Sequence, residues 1–184
     1  MQVISNPLIP DVKTVIPDVF RDARGYFCET YNAARYRKAG IAAEFVQDNE
    51  SLSSRGVFRG LHWQAMPHTQ AKLVRVIRGA VWDVAVDIRK GSPTFGRFAS
   101  EILTAENMKQ FYVPKGFAHG FVVLEDDTLF GYKCDELYAP ASERGLDVAD
   151  PALGLQLPDL GVPLLLSEKD RRHPGLADIE PLEV

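Results

Sequence analysis

The chain has 184 residues, 46% hydrophobic and 25% charged, and its 25 acidic against 21 basic residues leave a net charge of −4. This is the make-up of one soluble domain able to bury about 70% of its unfolded surface without metal or disulfide staples. It speaks against disorder, collagen-like repeats, and a nucleic-acid or membrane-surface binder, while leaving room for a small anion held by a local basic cluster. The N-terminus, Met1-Gln2-Val3-Ile4-Ser5-Asn6-Pro7, has no basic region followed by a long apolar run, and no stretch approaches about 18 consecutive apolar residues. Cys28 and Cys134 form no metal-type spacing. The expectation is a cytoplasmic protein with reduced thiols and a single domain over 1–184.

The pattern predicts few helices and many strands. A short helix is expected from an Asn32 N-cap through Lys38, stopped at Gly40. Strands are expected over 57–64 and 73–77. Trp82, Val84, Val86 and Ile88 then alternate with Asp83, Ala85, Asp87 and Arg89, the period of a strand with one buried face. Arg78-Gly79 between the last two reads as a tight hairpin turn. Further strands are expected over 111–113, 118–124 and 128–134, separated by Gly91-Ser92-Pro93, Pro114-Lys115-Gly116 and Asp126-Asp127. Short antiparallel strands at this spacing favour a sandwich or barrel. The Pro-rich tail after Ala139 is expected to wrap it rather than to build a second core.

Five places can carry chemistry. In Arg59-Gly60-Leu61-His62-Trp63-Gln64, strand alternation puts Gly60, His62 and Gln64 on one face and Arg59, Leu61 and Trp63 on the other. His62 is then either a functional group or a core histidine satisfied by a carbonyl. Pro114, Gly116 and His119 form a P-x-G-x-x-H turn that resembles the second motif of the cupin superfamily, the double-stranded β-helix or jelly roll. The H-x-H of metal cupins is missing, because Trp63 and Gln64 follow His62, and a catalytic metal needs about three protein ligands. Lys72 is either an end-of-strand lysine reaching water or a cation aimed at a developing oxyanion. Tyr132 is either packing or a general acid. Asp170, in Ser167-Glu168-Lys169-Asp170, is either part of a helix-start cap or the carboxylate that orients His62. His68 and His173 are expected in solvent-facing turns.

Taken together, these strings resemble the dTDP-4-dehydrorhamnose 3,5-epimerase family. Asp22–Glu29, Val46–Asn49, Arg59–Gln64, Lys72–Arg75, Asp83–Arg89, Gly91–Gly96, Pro114–Phe121 and Ser167–Asp170 occur in family order, from about Phe20 to Asp170. The resemblance implies a mainly β, cupin-type jelly roll that epimerises dTDP-4-dehydro-6-deoxy-glucose without metal or other cofactor. It implies His62 as base, Tyr132 as acid, Asp170 as partner of the histidine and Lys72 as enolate stabiliser. It implies substrate binding by Arg24, Phe27, Glu29, Gln47, Asp48, Asn49, Arg59, Lys72, His119, Tyr138, Glu143 and Lys169, with Tyr138 stacking on thymine. It also implies a homodimer in which the segment over about 1–30, near Arg24 to Glu29, reaches the partner's site. Where many members carry tryptophans, this chain has Val148 and Leu157. Three alternatives stay open: a relative that inverts only C3 or only C5, a metal-dependent cupin isomerase or oxygenase, and a non-catalytic sugar-nucleotide-binding cupin.

Overall fold

The computed structural model describes residues 1–184. Strands β1 (Gln2–Ser5) and β2 (Lys13–Ile16) lead into a ribbon of β3 (Val19–Asp22) and β4 (Gly25–Cys28), and then into helix α1 (Ala33–Lys38). The body follows as β5 (Gln47–Ser53), β6 (Phe58–Gln64), β7 (Lys72–Arg78), β8 (Ala80–Asp87), β9 (Phe98–Thr104), β10 (Gln110–Val113), β11 (Phe117–Val123) and β12 (Thr128–Cys134). A short edge strand, β13 (Glu143–Gly145), comes last. One antiparallel sheet has the order β1-β2-β10-β7-β12-β5 and the other β13-β6-β11-β8-β9. This is a jelly roll, the fold that the family resemblance implied and one form of the sandwich or barrel that the strand spacing favoured. No helix is long and apolar enough to cross a membrane.

Helix α1 begins as expected. The Asn32 side chain accepts the Arg35 N–H at 3.2 Å, and Gly40 ends the segment at φ +84°. Tyr36 is buried and donates its hydroxyl to Gln110 on β10 at 2.7 Å, tying the helix to the six-stranded sheet.

Two expectations need correction. Arg78-Gly79 is not a hairpin turn, because β7 pairs with β10 and β12 in one sheet while β8 pairs with β11 and β9 in the other. Gly79 is a corner at which the chain crosses between sheets. Its φ is +82°, and a Cβ there would sit 2.2 Å from the Thr128 hydroxyl. Nor does β8 have one solvated face, since all eight of its residues are buried. Val81 and Ala85 face inward to pack with Val74, Val76, Phe111, Phe121 and Phe130 between the sheets. Trp82, Val84 and Val86 face outward, and the tail covers them.

That tail does wrap the barrel, and in doing so it builds a second core. Leu146, Val148, Leu153, Leu160, Ile179 and Leu182 are buried against the outer face of the five-stranded sheet, with Leu157 packed at the margin. Six such side chains at about 1.5–3 kcal/mol each contribute a large gross burial term, from which the entropy of ordering the tail is subtracted. The tail is therefore a structural layer. The loop that follows β8 is anchored by Asp87, fully buried, which accepts two hydrogen bonds from the Arg89 guanidinium and one each from Ser92 and Thr94.

Candidate active site

The site opens between the sheets. A cleft of about 610 Å³ is lined by His62, Arg59, Lys72, His119, Tyr132, Ser51 and Asp170, among others. A neighbouring cleft of about 350 Å³ shares His62, Lys72 and Tyr132 with it, and adds Gln47, Asn49, Tyr138 and Glu143. The two sheets contribute different chemistry. The five-stranded sheet supplies His62 from β6 and His119 from β11. The six-stranded sheet supplies Lys72 from β7 and Tyr132 from β12.

His62 is aimed by an irregularity that simple alternation misses. In the β6–β11 pairing, His62 lies opposite His119 and Arg59 opposite Phe121, so two residues of β6 span what one residue, Gly120, spans on β11. This bulge shifts the phase of the strand. Arg59 therefore shares the cleft with His62, which corrects the opposite-face expectation, while Leu61 and Trp63 turn outward into the tail core. Glycine is required at position 60. Its φ is +132°, and a Cβ would lie 2.5 Å from the Gly120 Cα.

Asp170, on a single 3-10 turn of the tail, accepts from His62 Nε2 at 2.7 Å. The carboxylate is 5% exposed. It is held in place by its own N–H, which donates to the Ser167 hydroxyl at 3.1 Å. With Nε2 occupied as a donor, the lone pair of the neutral imidazole lies on Nδ1. Burial lowers the His62 pKa below the ordinary 6.5 and outweighs the opposing pull of Asp170. Burial also lowers the Lys72 pKa, and this ammonium has no hydrogen bond or ion pair. Burial raises that of the Tyr132 phenol, whose hydroxyl is likewise unpaired.

His119 is buried, with Nε2 at 2.9 and 3.1 Å from the two oxygens of Asp83. Asp83 is fully buried in the interior, where the one-face reading of β8 had it pointing to solvent. Burial pushes its carboxyl up against the pull of His119 and Lys72. At the rim, Glu143 accepts from Lys169 at 2.6 Å and from the Tyr138 hydroxyl at 2.9 Å. Burial would raise its pKa, but these two donors hold it below the usual carboxylate range. Gln47 donates to Asn49 at 2.9 Å and accepts the Tyr138 N–H at 2.9 Å.

The remaining candidates sit elsewhere on this chain. Asp48 points away from the barrel interior and pairs with Lys133 at 2.8 Å. Glu29 is bound to Arg35 and Asn32 beside α1. Arg24, 90% exposed, is paired only with Asp22 on the β3–β4 ribbon. Phe27 is also exposed there, with Phe20 and Tyr26. None of these four lines the cleft of its own chain.

His173, like Arg59 and Asp83, was misplaced by the sequence reading. His173 is not a solvent-facing turn residue: its side chain is 10% exposed, and Nε2 lies 3.2 Å from Asp170 Oδ1. His62, Asp170 and His173 are the one place where three histidine or carboxylate donors converge. Hydrogen bonds within the trio account for all three positions. Asp170 had a usable signal in the Ser167-Glu168-Lys169-Asp170 string, whereas Asp83 carried the same alternation signal as a solvent-facing residue. His173 had only its three-residue spacing from Asp170.

Residues 7–178 match the family model described as dTDP-4-dehydrorhamnose 3,5-epimerase. The chain belongs to the dTDP-4-dehydrorhamnose 3,5-epimerase family. Curated epimerase-family relatives include that of Pseudomonas aeruginosa, 50% identical over 173 residues and covering 94% of each chain. That of Methanothermobacter thermautotrophicus is 50% identical over 163 residues, 88% of each. Among solved structures, the Legionella pneumophila dTDP-6-deoxy-D-glucose-3,5-epimerase in complex with dTDP-4-keto-L-rhamnose superposes with a TM-score of 0.93. It is 47% identical, and the match covers 97% of this chain and 94% of that one. A 3'-monoepimerase from Streptomyces bikiniensis in complex with dTDP-quinovose is also similar, with a TM-score of 0.88 and 36% identity over 95% of this chain and 88% of that one. This epimerase-family chain is thus an isomerase by kinship, on a cupin jelly roll.

Proposed function

We propose that the chain epimerises dTDP-4-dehydro-6-deoxy-glucose at C3 and C5, giving dTDP-4-dehydro-rhamnose, by proton exchange beside the C4 ketone and without a cofactor. The observation that carries this is the convergence on one cleft of a carboxylate-backed histidine from one sheet and an unpaired lysine and tyrosine from the other. C3 and C5 are both acidified by the ketone. His62 Nδ1 takes the proton, and the electron pair moves into an enolate whose oxygen faces the Lys72 ammonium. Tyr132 returns a proton from the opposite wall, which inverts the carbon. A general acid or base contributes about 10²–10⁴-fold, and an oxyanion donor about 3–4 kcal/mol.

Arg59, His119, Lys169, Gln47 and Asn49 hold the nucleotide diphosphate and sugar, and Tyr138, exposed at the rim with Glu143, stacks on the base. Arg24, Phe27 and Glu29 serve a partner subunit's cleft in a homodimer, joined by the exposed aromatic ribbon β3–β4. Asp48, beside Gln47 and Asn49, supports this wall. A cytoplasmic setting fits a sugar-nucleotide substrate.

A second reading, inversion at C3 alone, is favoured by the likeness to the 3'-monoepimerase. Proton NMR of the keto sugar in heavy water separates the two. Deuterium entering C3 and C5 supports the first reading, and deuterium at C3 alone supports the second. No exchange by folded protein overturns both. His62→Asn should abolish exchange while leaving thymidine diphosphate binding intact.

A further inference from the structure

We infer that His173 is a positioning residue for the base, clamping the carboxylate on which His62 leans. The inference rests on reading His62 as that base. Asp170 Oδ1 accepts from His62 Nε2 at 2.7 Å and from His173 Nε2 at 3.2 Å. The two imidazoles stand nearly perpendicular, at 86° with centroids 5.4 Å apart, so each points a ring N–H at the same oxygen without stacking on the other. Two donors on one oxygen resist rotation of the carboxylate, because any turn about its last side-chain bond breaks both contacts.

The backbone makes room for this second histidine. Gly145 on β13 lies directly opposite His62 in the β13–β6 register. A Cβ at Gly145 would fall 2.2 Å from His173 Nε2. Any other residue there would drive the ring off Asp170, so Gly145 and His173 are fitted to each other beside the base.

A consequence for charge follows. A carboxylate oxygen that shares its electron density between two N–H donors stabilises the His62 imidazolium less than one serving His62 alone. The other charged or titratable groups facing this cluster are Glu50 from β5, Arg59 from β6, Lys72 from β7, His119 from β11, Tyr132 from β12, Glu143 and Arg144 from β13, and Lys169, Asp178, Glu180 and Glu183 from the tail. None of these has a hydrogen bond to Asp170, so His173 is the neighbour that competes with His62 for it.

The test compares His173→Ala with His173→Gln, whose amide places a donor near the Nε2 position. Loss of one hydrogen bond of this kind should lower kcat roughly 3–10-fold in His173→Ala, with KM unchanged. The acid limb of the pH profile should move to higher pH, and His173→Gln should restore both. The same displacement is readable without turnover, from the His62 ring resonances in a pH titration followed by NMR. A His62 midpoint that rises in His173→Ala and returns in His173→Gln supports the inference. A midpoint unchanged in His173→Ala overturns it, whether or not thermal stability falls. If the parent protein shows no exchange on substrate, the epimerase reading fails, while the ring titration still decides the role of His173.

Discussion

Replacing Lys72 with Met should separate catalysis from stability in opposite directions. The two side chains are similar in length, so the substitution removes a charge with little change in packing. The ammonium sits in the inter-sheet cleft with no carboxylate bonded to it, and burial lowers its pKa below the ordinary 10.5. An ammonium about 4 Å from an enolate oxygen, at an effective dielectric of about 20, attracts it by about 4 kcal/mol. Loss of an oxyanion donor costs about 3–4 kcal/mol, so Lys72→Met should slow exchange roughly 10²–10³-fold. Stability should hold or rise, because an unpaired cation no longer needs desolvation.

The pH dependence has a definite sign. Because the folded-state pKa is the lower one, the unfolded chain binds this proton more readily. The parent therefore gains stability as pH rises from the lowered folded value towards 10.5. Lys72→Met should lack that gain. Deuterium incorporation measured by NMR gives the rate, and thermal melts at neutral pH and near pH 10 give the stability. A variant that melts lower than the parent yet exchanges at the parent rate would refute both the chemical role and the electrostatic argument.

Two further outcomes follow from the cleft and its support. The acid limb of kcat/KM should fall below pH 6.5, since burial of His62 outweighs Asp170, and the alkaline limb should fall below 10.5 as Lys72, lowered by burial, loses its proton before Tyr132, raised by burial, loses its own; an acid-limb midpoint above 6.5 would count against His62. Asp83→Ala leaves a buried His119 ring nitrogen without its hydrogen-bond partner, and should cost about 1–3 kcal/mol in a denaturant titration, with an unchanged midpoint showing that the pair is not structural.

What was legible in the sequence was whatever depends on local periodicity or on residue order. The Asn32 cap, the strand runs and the P-x-G-x-x-H turn each follow from a few neighbouring residues, and each lies where expected. What was illegible depends on pairing across long distances. Nothing between Phe58 and Gln64 announces that one residue of β11 will face two of β6, yet that bulge decides whether Arg59 joins His62 in the cleft. Likewise Gly79 carries the same local signal in a hairpin as in a corner between sheets, and only the partners of β7 and β8 tell them apart. Asp83 looked like the solvent side of an amphipathic strand, because the tail that buries the other face begins more than fifty residues later.

The two-sheet barrel also explains why inversion is achievable at a single site. A racemising base that both removes and returns its proton gains nothing in direction, because the proton comes back to the face it left. Inversion needs the donor on the far side of a planar enolate, and two sheets facing each other across a cleft supply that separation as part of the fold. His62 is fixed to one sheet by the β6–β11 ladder and through Asp170 to the tail, and Tyr132 to the other by β5 and β7. Their separation is then set by the packing of Val74, Val76, Phe121 and Phe130 between the sheets rather than by the flexible cleft side chains. The tail has a double part in this arrangement. It seals the outer face of the sheet that carries His62, and the same stretch of chain delivers Asp170 and His173 to the edge of the cleft. Anything that loosens the tail therefore loosens the base, and leaves the acid on the opposite sheet in place.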